Sequence, residues 1–136
     1  MDARSTLKAL GANTKGLTGT DAYAMVVINK NNADLIAENI GNAIAVALEE
    51  IGLAAERYAK ENLTKNRSVD TGRLRNSVTH AINMDEKAVY VGTNVEYGPY
   101  VELGTSRSRA KPYLQPAAEQ HEKTYKAILK RHMSGN

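Results

Sequence analysis

The sequence predicts an α+β fold, in which a small antiparallel sheet packs against a long N-terminal helix and a C-terminal helix. Apolar residues recur at three- and four-residue steps from Leu35 to Tyr58, and again after Pro116. Such spacing is typical of amphipathic helices. Short stretches rich in β-branched residues are typical of strands, and they occupy residues 22–29, 78–84 and 88–93. Helices and strands in this order predict a sheet covered by helices.

Length and composition predict one domain without cysteine chemistry. The chain has 136 residues, of which 42% are hydrophobic and none is cysteine. Disulfides, thiolate metal sites and cysteine nucleophiles are therefore excluded. We expect a single α+β domain over residues 22–136 and a flexible arm over residues 1–21, where Gly, Thr, Asn, Ser and Lys predominate. The longest strongly apolar stretch, residues 43–48, is too short to cross a bilayer, so no membrane contact is expected.

The long helix is the clearest predicted element. Asn32 is a suitable N-cap, and the apolar periodicity that follows indicates a helix of about 30 residues. Gly41 and Gly52 lie inside it, where each costs about 1 kcal/mol relative to Ala. We expect a polar linker over residues 64–69.

A hairpin should follow the linker. Asp70 is a suitable cap for about one helical turn within residues 70–77. Two strands, residues 78–84 and Ala88–Thr93, flank a short polar segment and predict an antiparallel hairpin. Their alternating residues define a buried side and a side that we expect to be exposed.

The C-terminal part is predicted as a short helix, a loop and a final helix. Residues 97–104 have Pro99 in the first turn and Gly104 past the end, which is typical of helix boundaries. Residues 105–112 form a basic loop without large apolar side chains, and Pro116 should open the last helix.

No constellation of side chains in the sequence supports catalysis. His80, His121 and His132 are best interpreted as one strand residue and two helix-surface residues. The glutamates of the long helix are best interpreted as a solvated face: Glu49, Glu50, Glu56 and Glu61. The sequence therefore predicts a protein that is not an enzyme and has no metal site and no cofactor.

The basic loop carries the most informative charges. Residues 105–136 contain seven basic and two acidic side chains, and Arg107, Arg109 and Lys111 lie within the loop. Two interpretations remain open. The loop is a solvated surface segment, or it lines a channel for DNA or docks on an acidic neighbour. Cations without stacking aromatic residues are suited to the nucleic-acid backbone rather than to base recognition.

Three tyrosines flank the short helix and the loop. Tyr97, Tyr100 and Tyr113 are either residues at the edge of the core or part of a subunit interface. Tyrosine is enriched in such interfaces.

Three segments together resemble the tail-component family of long-tailed double-stranded DNA phages. They are VDTGRLRNS at 69–77, VYVGTNVEYGPYVELGT at 89–105 and KPYLQPA at 111–117. Members of this family are also called neck, tail-completion or head–tail joining proteins. The resemblance extends from about Ala22 to the last helix.

The resemblance implies a structural virion protein that assembles in the host cytoplasm. Its subunits would form a homo-oligomeric ring, a hexamer, that joins the DNA-filled head to the tail. Its neighbours would be a head-completion or connector protein and the tail tube or tail terminator protein, with nonspecific contact to genomic DNA in the channel. It implies no catalysis and no cofactor. The alternatives are a tail terminator that sets tail length and, ranked lower, a nonspecific nucleic-acid-binding module.

The resemblance also implies structural roles for residues in the shared segments. Asp70, Thr71 and Gly72 would shape a cap and turn, and Leu74 would fill the core. The remaining residues would shape the short helix and the entry to the last helix: Gly98, Pro99, Gly104, Pro112 and Pro116. A ring needs two unlike contact surfaces on each subunit. We expect these to be the exposed side of the hairpin and the tyrosine-rich short helix.

Overall fold

The structure, a computed structural model, describes residues 23–28, 41–66 and 71–133. Within these ranges it has a three-stranded antiparallel sheet and five helices, so the predicted α+β class is confirmed. The predicted arm and the predicted caps Asn32 and Asp70 lie outside the described residues.

The sheet consists of β1 (Tyr23–Ile28), β2 (Thr79–Asn83) and β3 (Ala88–Thr93) in the order β1-β3-β2. The predicted hairpin is confirmed, because β2 and β3 pair antiparallel with His80 opposite Val91. The chain reverses between them through a turn in which Lys87 adopts a positive φ of 50°.

A β-bulge in β1 adjusts which side chains enter the core. The register against β3 shifts between Val26 and Ile28, and both Val27 and Ile28 are buried in the main core. The extra residue of a bulge interrupts the regular alternation of side chains between the two faces of the sheet, so consecutive side chains can both enter the core. Val26 instead packs against a second, small cluster formed by Ala81, Ala88 and Tyr90.

The long helix α1 (Gly41–Asn66) supplies one face of the core and packs against β2 and β3. Its fully buried side chains follow the predicted spacing of three and four residues: Ile44, Ala47, Leu48, Ile51, Ala55, Ala59 and Leu63. The prediction of a linker beginning at residue 64 is wrong, because the helix continues to Asn66. The Asn66 amide donates to carbonyls of the basic loop, so tertiary contacts stabilise a turn whose polar sequence looked like linker.

Two short helices connect the remaining parts. Helix α2 (Thr71–Ser77) precedes β2, and α3 (Gly98–Leu103) follows β3. Helix α3 has Pro99 in its first turn and Gly104 directly past its end, as predicted.

The prediction of a single final helix opening at Pro116 is wrong. The chain forms α4 (Leu114–Glu119) and α5 (Glu122–Met133), so Pro116 is the third residue of α4. The break lets the Tyr125 hydroxyl donate to the Ala117 carbonyl. Helix α4 packs against β1 and α1, whereas α5 packs along α1.

Candidate interaction surface around the basic loop

The basic loop folds back onto the end of α3. Gly104 has a φ of 77°, which L side chains rarely adopt, and a Cβ there would lie 2.7 Å from the backbone nitrogen of Ala110. Both the backbone conformation and the close approach therefore require glycine.

Hydrogen bonds within the loop close it into a defined turn. The Thr105 hydroxyl oxygen accepts the backbone N–H groups of Arg107 at 3.1 Å and Ser108 at 3.0 Å. The Thr105 N–H donates to the Ser108 carbonyl at 2.9 Å, and the Lys111 N–H donates to the Val101 carbonyl at 2.8 Å. The loop is thus anchored to α3 by its own backbone.

A buried carboxylate fixes the exit from the loop. Glu102 of α3 is only 4% exposed. Its Oε1 accepts the N–H groups of Tyr113 at 3.0 Å and Leu114 at 2.8 Å, and its Oε2 accepts that of Gln115 at 3.1 Å. These amides begin α4 and would otherwise lack partners. The sequence offers no local signal for this role, because Glu102 lies 11 to 13 residues before the amides that it caps.

The end of α1 holds the same segment from the other side. The Asn66 side-chain amide donates to the carbonyls of Lys111 at 3.2 Å and Pro112 at 3.1 Å. The Asn62 amide donates to the Tyr113 carbonyl at 3.2 Å. Tyr113 is fully buried, and its hydroxyl donates to the Gly98 carbonyl at 3.0 Å. Of the two interpretations of Tyr113, the structure therefore supports a core residue.

A groove of about 230 Å³ lies between α3 and the loop, and we call it the α3–loop groove. Tyr100 on its wall is 62% exposed, and Leu103 on the same helix is 50% exposed. The residues that line the groove are Tyr97, Tyr100, Val101, Thr105, Ser108, Arg109 and Lys111. Four of the five residues proposed from sequence for interaction thus surround one groove, and the fifth, Arg107, lies on the adjacent turn of the loop.

The loop cations have no carboxylate partner within the described segments. Arg107, Arg109 and Lys111 are exposed and enter none of the ion pairs formed there. Arg73 behaves differently, because it pairs with Glu96 at 3.1 Å and stacks over Tyr97 at 5.4 Å. The loop therefore presents positive charge that its own surroundings do not neutralise.

The other motif residues lie at several places in the fold. Leu74 is fully buried. A Cβ on Gly98 would lie 2.6 Å from the Thr93 methyl group, so this glycine allows close packing. Gly72 lies inside α2 instead of in a turn before it, and a Cβ there would meet nothing within 4 Å. Thr71 begins α2, and Pro112 is exposed at the end of the loop.

The side of the hairpin that we expected to be exposed is largely buried. Ala81, Ala88 and Tyr90 are at most 5% exposed. The Tyr90 hydroxyl donates to Glu86, and burial together with this carboxylate raises the pKa of Tyr90 to about 12.

Exposed apolar side chains occur on α1 instead. Val46 and Leu53 are each 55% exposed. They lie seven residues apart and so share one face of the helix. We call these two residues the α1 patch. A second groove, of about 490 Å³, adjoins Leu53.

The interpretation of the α1 glutamates as a solvated face is wrong for Glu56, whose side chain is 18% exposed. Glu49 and Glu50 remain 52% and 41% exposed but also contact other elements. His80 of β2 lies between Glu56, which contacts Nδ1, and Glu49, whose Oε1 lies 2.9 Å from Nε2. Burial alone would lower the pKa of His80, but the hydrogen bonds with the two carboxylates outweigh it and raise the pKa.

Glu50 makes a similar contact with the C-terminal helix. It contacts Arg131 and accepts from His132 Nε2 at 2.9 Å. Hydrogen bonds from His132 and Arg131 lower the pKa of Glu50. His121, predicted as a surface residue, stacks on Tyr58 with 3.5 Å between ring centroids.

These clusters hold the helices and the sheet together. Within the described segments, no group of three or more acidic or histidine side chains has a geometry that could hold a metal ion. No described helix is both long and apolar enough to cross a membrane.

Comparison with known families identifies the chain. Residues 28–104 match a family model described as "Bacteriophage HK97-gp10, putative tail-component". The match runs from the end of β1 to Gly104, whereas the resemblance seen in the sequence extends further, through the basic loop to the last helix. No curated protein and no solved structure matches the chain significantly. Because the match covers more than half of the 136 residues, the chain belongs to the HK97-gp10-like family of bacteriophage tail components.

Proposed function

We propose that this tail component is a structural protein of the phage neck, where a ring of its copies joins the DNA-filled head to the tail. The observation that carries the proposal is the basic loop, whose conformation is held by its own backbone and by the buried Glu102. The cations Arg107, Arg109 and Lys111 take no part in the ion pairs of the described fold. They are therefore available to another molecule of the virion.

Two surfaces support an assembly of identical subunits with further partners. A closed ring needs two unlike contact surfaces on every subunit, and the exposed α1 patch is one candidate. The α3–loop groove lies on a different element and would face the next layer of the neck. We propose a hexamer whose neighbours are a head-completion or connector protein and the tail tube or tail terminator protein. Residues 22–136 would form its single domain and residues 1–21 an arm.

The charge distribution favours a second candidate function. Seven basic and two acidic side chains in residues 105–136 are also suited to nonspecific contact with DNA. Binding of the isolated chain to duplex DNA that weakens steeply with salt would support it. In a neck ring, the same contact would be made with the genome as it passes the channel.

Electron microscopy of a lysate from the parent phage with this gene deleted tests the neck role. Separate full heads and free tails of normal length are expected. Tails of uncontrolled length would instead indicate a tail terminator, which sets the length of the tail. Intact, infectious virions would contradict the proposal.

A further inference from the structure

We propose that the α3–loop groove binds an acidic segment of a neighbouring virion protein and that this segment also inserts an apolar side chain. The inference rests on the proposed function for the identity of the neighbour. It goes further in naming the chemistry of the segment and the residues that recognise it.

Charge supplies the first argument. Arg109 and Lys111 line the groove and Arg107 lies beside it, without a carboxylate partner in the described part of the chain. A segment with carboxylates would complete ion pairs, which are strongest when an arginine contacts a carboxylate through two parallel hydrogen bonds. Complementary charge also directs encounter and excludes basic partners.

Exposed apolar surface supplies the second argument. Tyr100, which lines the groove together with Arg109 and Lys111, is 62% exposed, and Leu103 on the same helix is 50% exposed. Tyrosine and arginine are enriched in the buried centres of protein interfaces. Duplex DNA would engage the cations through its phosphates but would gain little from an exposed leucine. The mixed surface therefore favours a protein segment over DNA.

The rigidity of the groove supplies the third argument. Thr105 closes the loop, and Glu102 and Asn66 fix its exit. A binding surface that is already ordered loses less conformational entropy when its ligand arrives.

The groove beside Leu53 lacks this chemistry. Its carboxylates are paired within the same chain, Glu61 with Arg57 at 3.9 Å and Glu56 with Lys60 at 3.8 Å. These carboxylates already have a cation of their own chain beside them, so a segment with unpaired acids is the better match for the loop.

Peptide binding to the full chain tests the inference. The probes are a fluorescent peptide alternating acidic residues with leucine and tyrosine, the same peptide with Asn and Gln in place of its acids, and a short DNA duplex. Anisotropy should show binding of the acidic peptide alone at physiological salt. Tyr100→Ser and Arg109→Gln should each weaken it about tenfold, which corresponds to about 1.4 kcal/mol.

Matched variants control for unspecific effects. Met84→Ser removes an exposed apolar side chain from the hairpin turn, and Lys123→Gln removes an exposed cation on α5. Both should bind the acidic peptide like the unmodified chain. Binding of DNA that is insensitive to Tyr100→Ser, without peptide binding, would overturn the inference in favour of a phosphate site. Binding of neither probe would also overturn it. The assay uses the isolated chain, whereas the neck role is tested on the phage. Failure of one proposal can therefore be distinguished from failure of the other.

Discussion

Gly52 of α1 lies directly against the imidazole of His80 in β2. A Cβ on Gly52 would be 2.2 Å from His80 Cδ2 and 2.6 Å from Cγ, closer than real side chains approach each other. The glycine thus lets the ring lie on the helix backbone between Glu49 and Glu56. This contact joins the long helix to the edge strand of the sheet.

Gly52→Ala should destabilise the protein although alanine is the better helix former. The methyl group would displace the His80 ring, and such overpacking costs about 1–3 kcal/mol. Alanine is more favourable than glycine inside a helix by about 1 kcal/mol, which offsets part of this cost. We expect a net loss in the free energy of unfolding, measured by urea denaturation.

Gly72→Ala is the matched control, because a Cβ at that helical position meets nothing within 4 Å. It should leave stability unchanged or raise it by up to about 1 kcal/mol. Adding His80→Ala to Gly52→Ala should relieve the clash, so the two changes should not be additive. Additive losses would contradict the contact.

His80 should make stability depend on pH. Its pKa in the folded chain is raised above the ordinary value of 6.5, because the lowering by burial is outweighed by the hydrogen bonds that the ring donates to Glu49 and Glu56. A raised pKa gives stability that is fully present below about 6.5 and is lost as pH rises through the folded value. The free energy of unfolding, relative to His80→Gln, should therefore fall over that interval.

His121→Gln provides the control for this titration. Burial lowers the pKa of His121, so its contribution to the pH dependence has the opposite sign. The fall above pH 6.5 should persist in that variant and vanish in His80→Gln. An unchanged pH profile in His80→Gln would show that another group is responsible.

Glu102→Gln should weaken the base of the loop. The substitution removes the carboxylate that accepts three backbone N–H groups. It also places a side-chain NH₂ donor opposite these N–H donors. We expect a loss of about 2–3 kcal/mol in the free energy of unfolding. Glu119→Gln, at an exposed position of α4, should change it by less than about 0.5 kcal/mol. Equal effects of the two substitutions would argue against the cap.

Replacing the three loop cations by alanine should impair assembly of the phage without lowering the stability of the chain. Arg107, Arg109 and Lys111 are exposed and outside the ion pairs of the described fold, so the triple variant should unfold within about 0.5 kcal/mol of the original. Phage carrying it should give fewer infectious particles. A control phage with alanine at the exposed Lys65, Lys123 and Lys130 should assemble normally. Unchanged particle yield and infectivity of the loop variant would show that the loop cations are not needed for assembly.

Local patterns were sufficient to predict most elements. The spacing of Ile44, Leu48 and Ile51 reports one buried helix face, and β3 has the predicted limits. Pro99 and Gly104 mark α3 because their backbone preferences act within a few residues.

Contacts between distant residues could not be predicted in this way. His80 meets Glu49 from 31 residues away, and Glu102 caps amides more than ten residues later. The last turn of α1 depends on Asn66 reaching the loop 45 residues further on. For the α3–loop groove, the sequence indicated the residues but not their arrangement. Its cations and tyrosines are visible in the sequence, but the fold that brings them together is not.

Cryo-electron microscopy of the intact parent phage would show whether this chain forms a ring in the neck. We expect a ring of copies of this chain between head and tail, with residues 105–111 of each copy in contact with a neighbouring protein or the channel. A reconstruction that places the chain only at the distal end of the tail, or finds the loop facing bulk solvent in every copy, would contradict it.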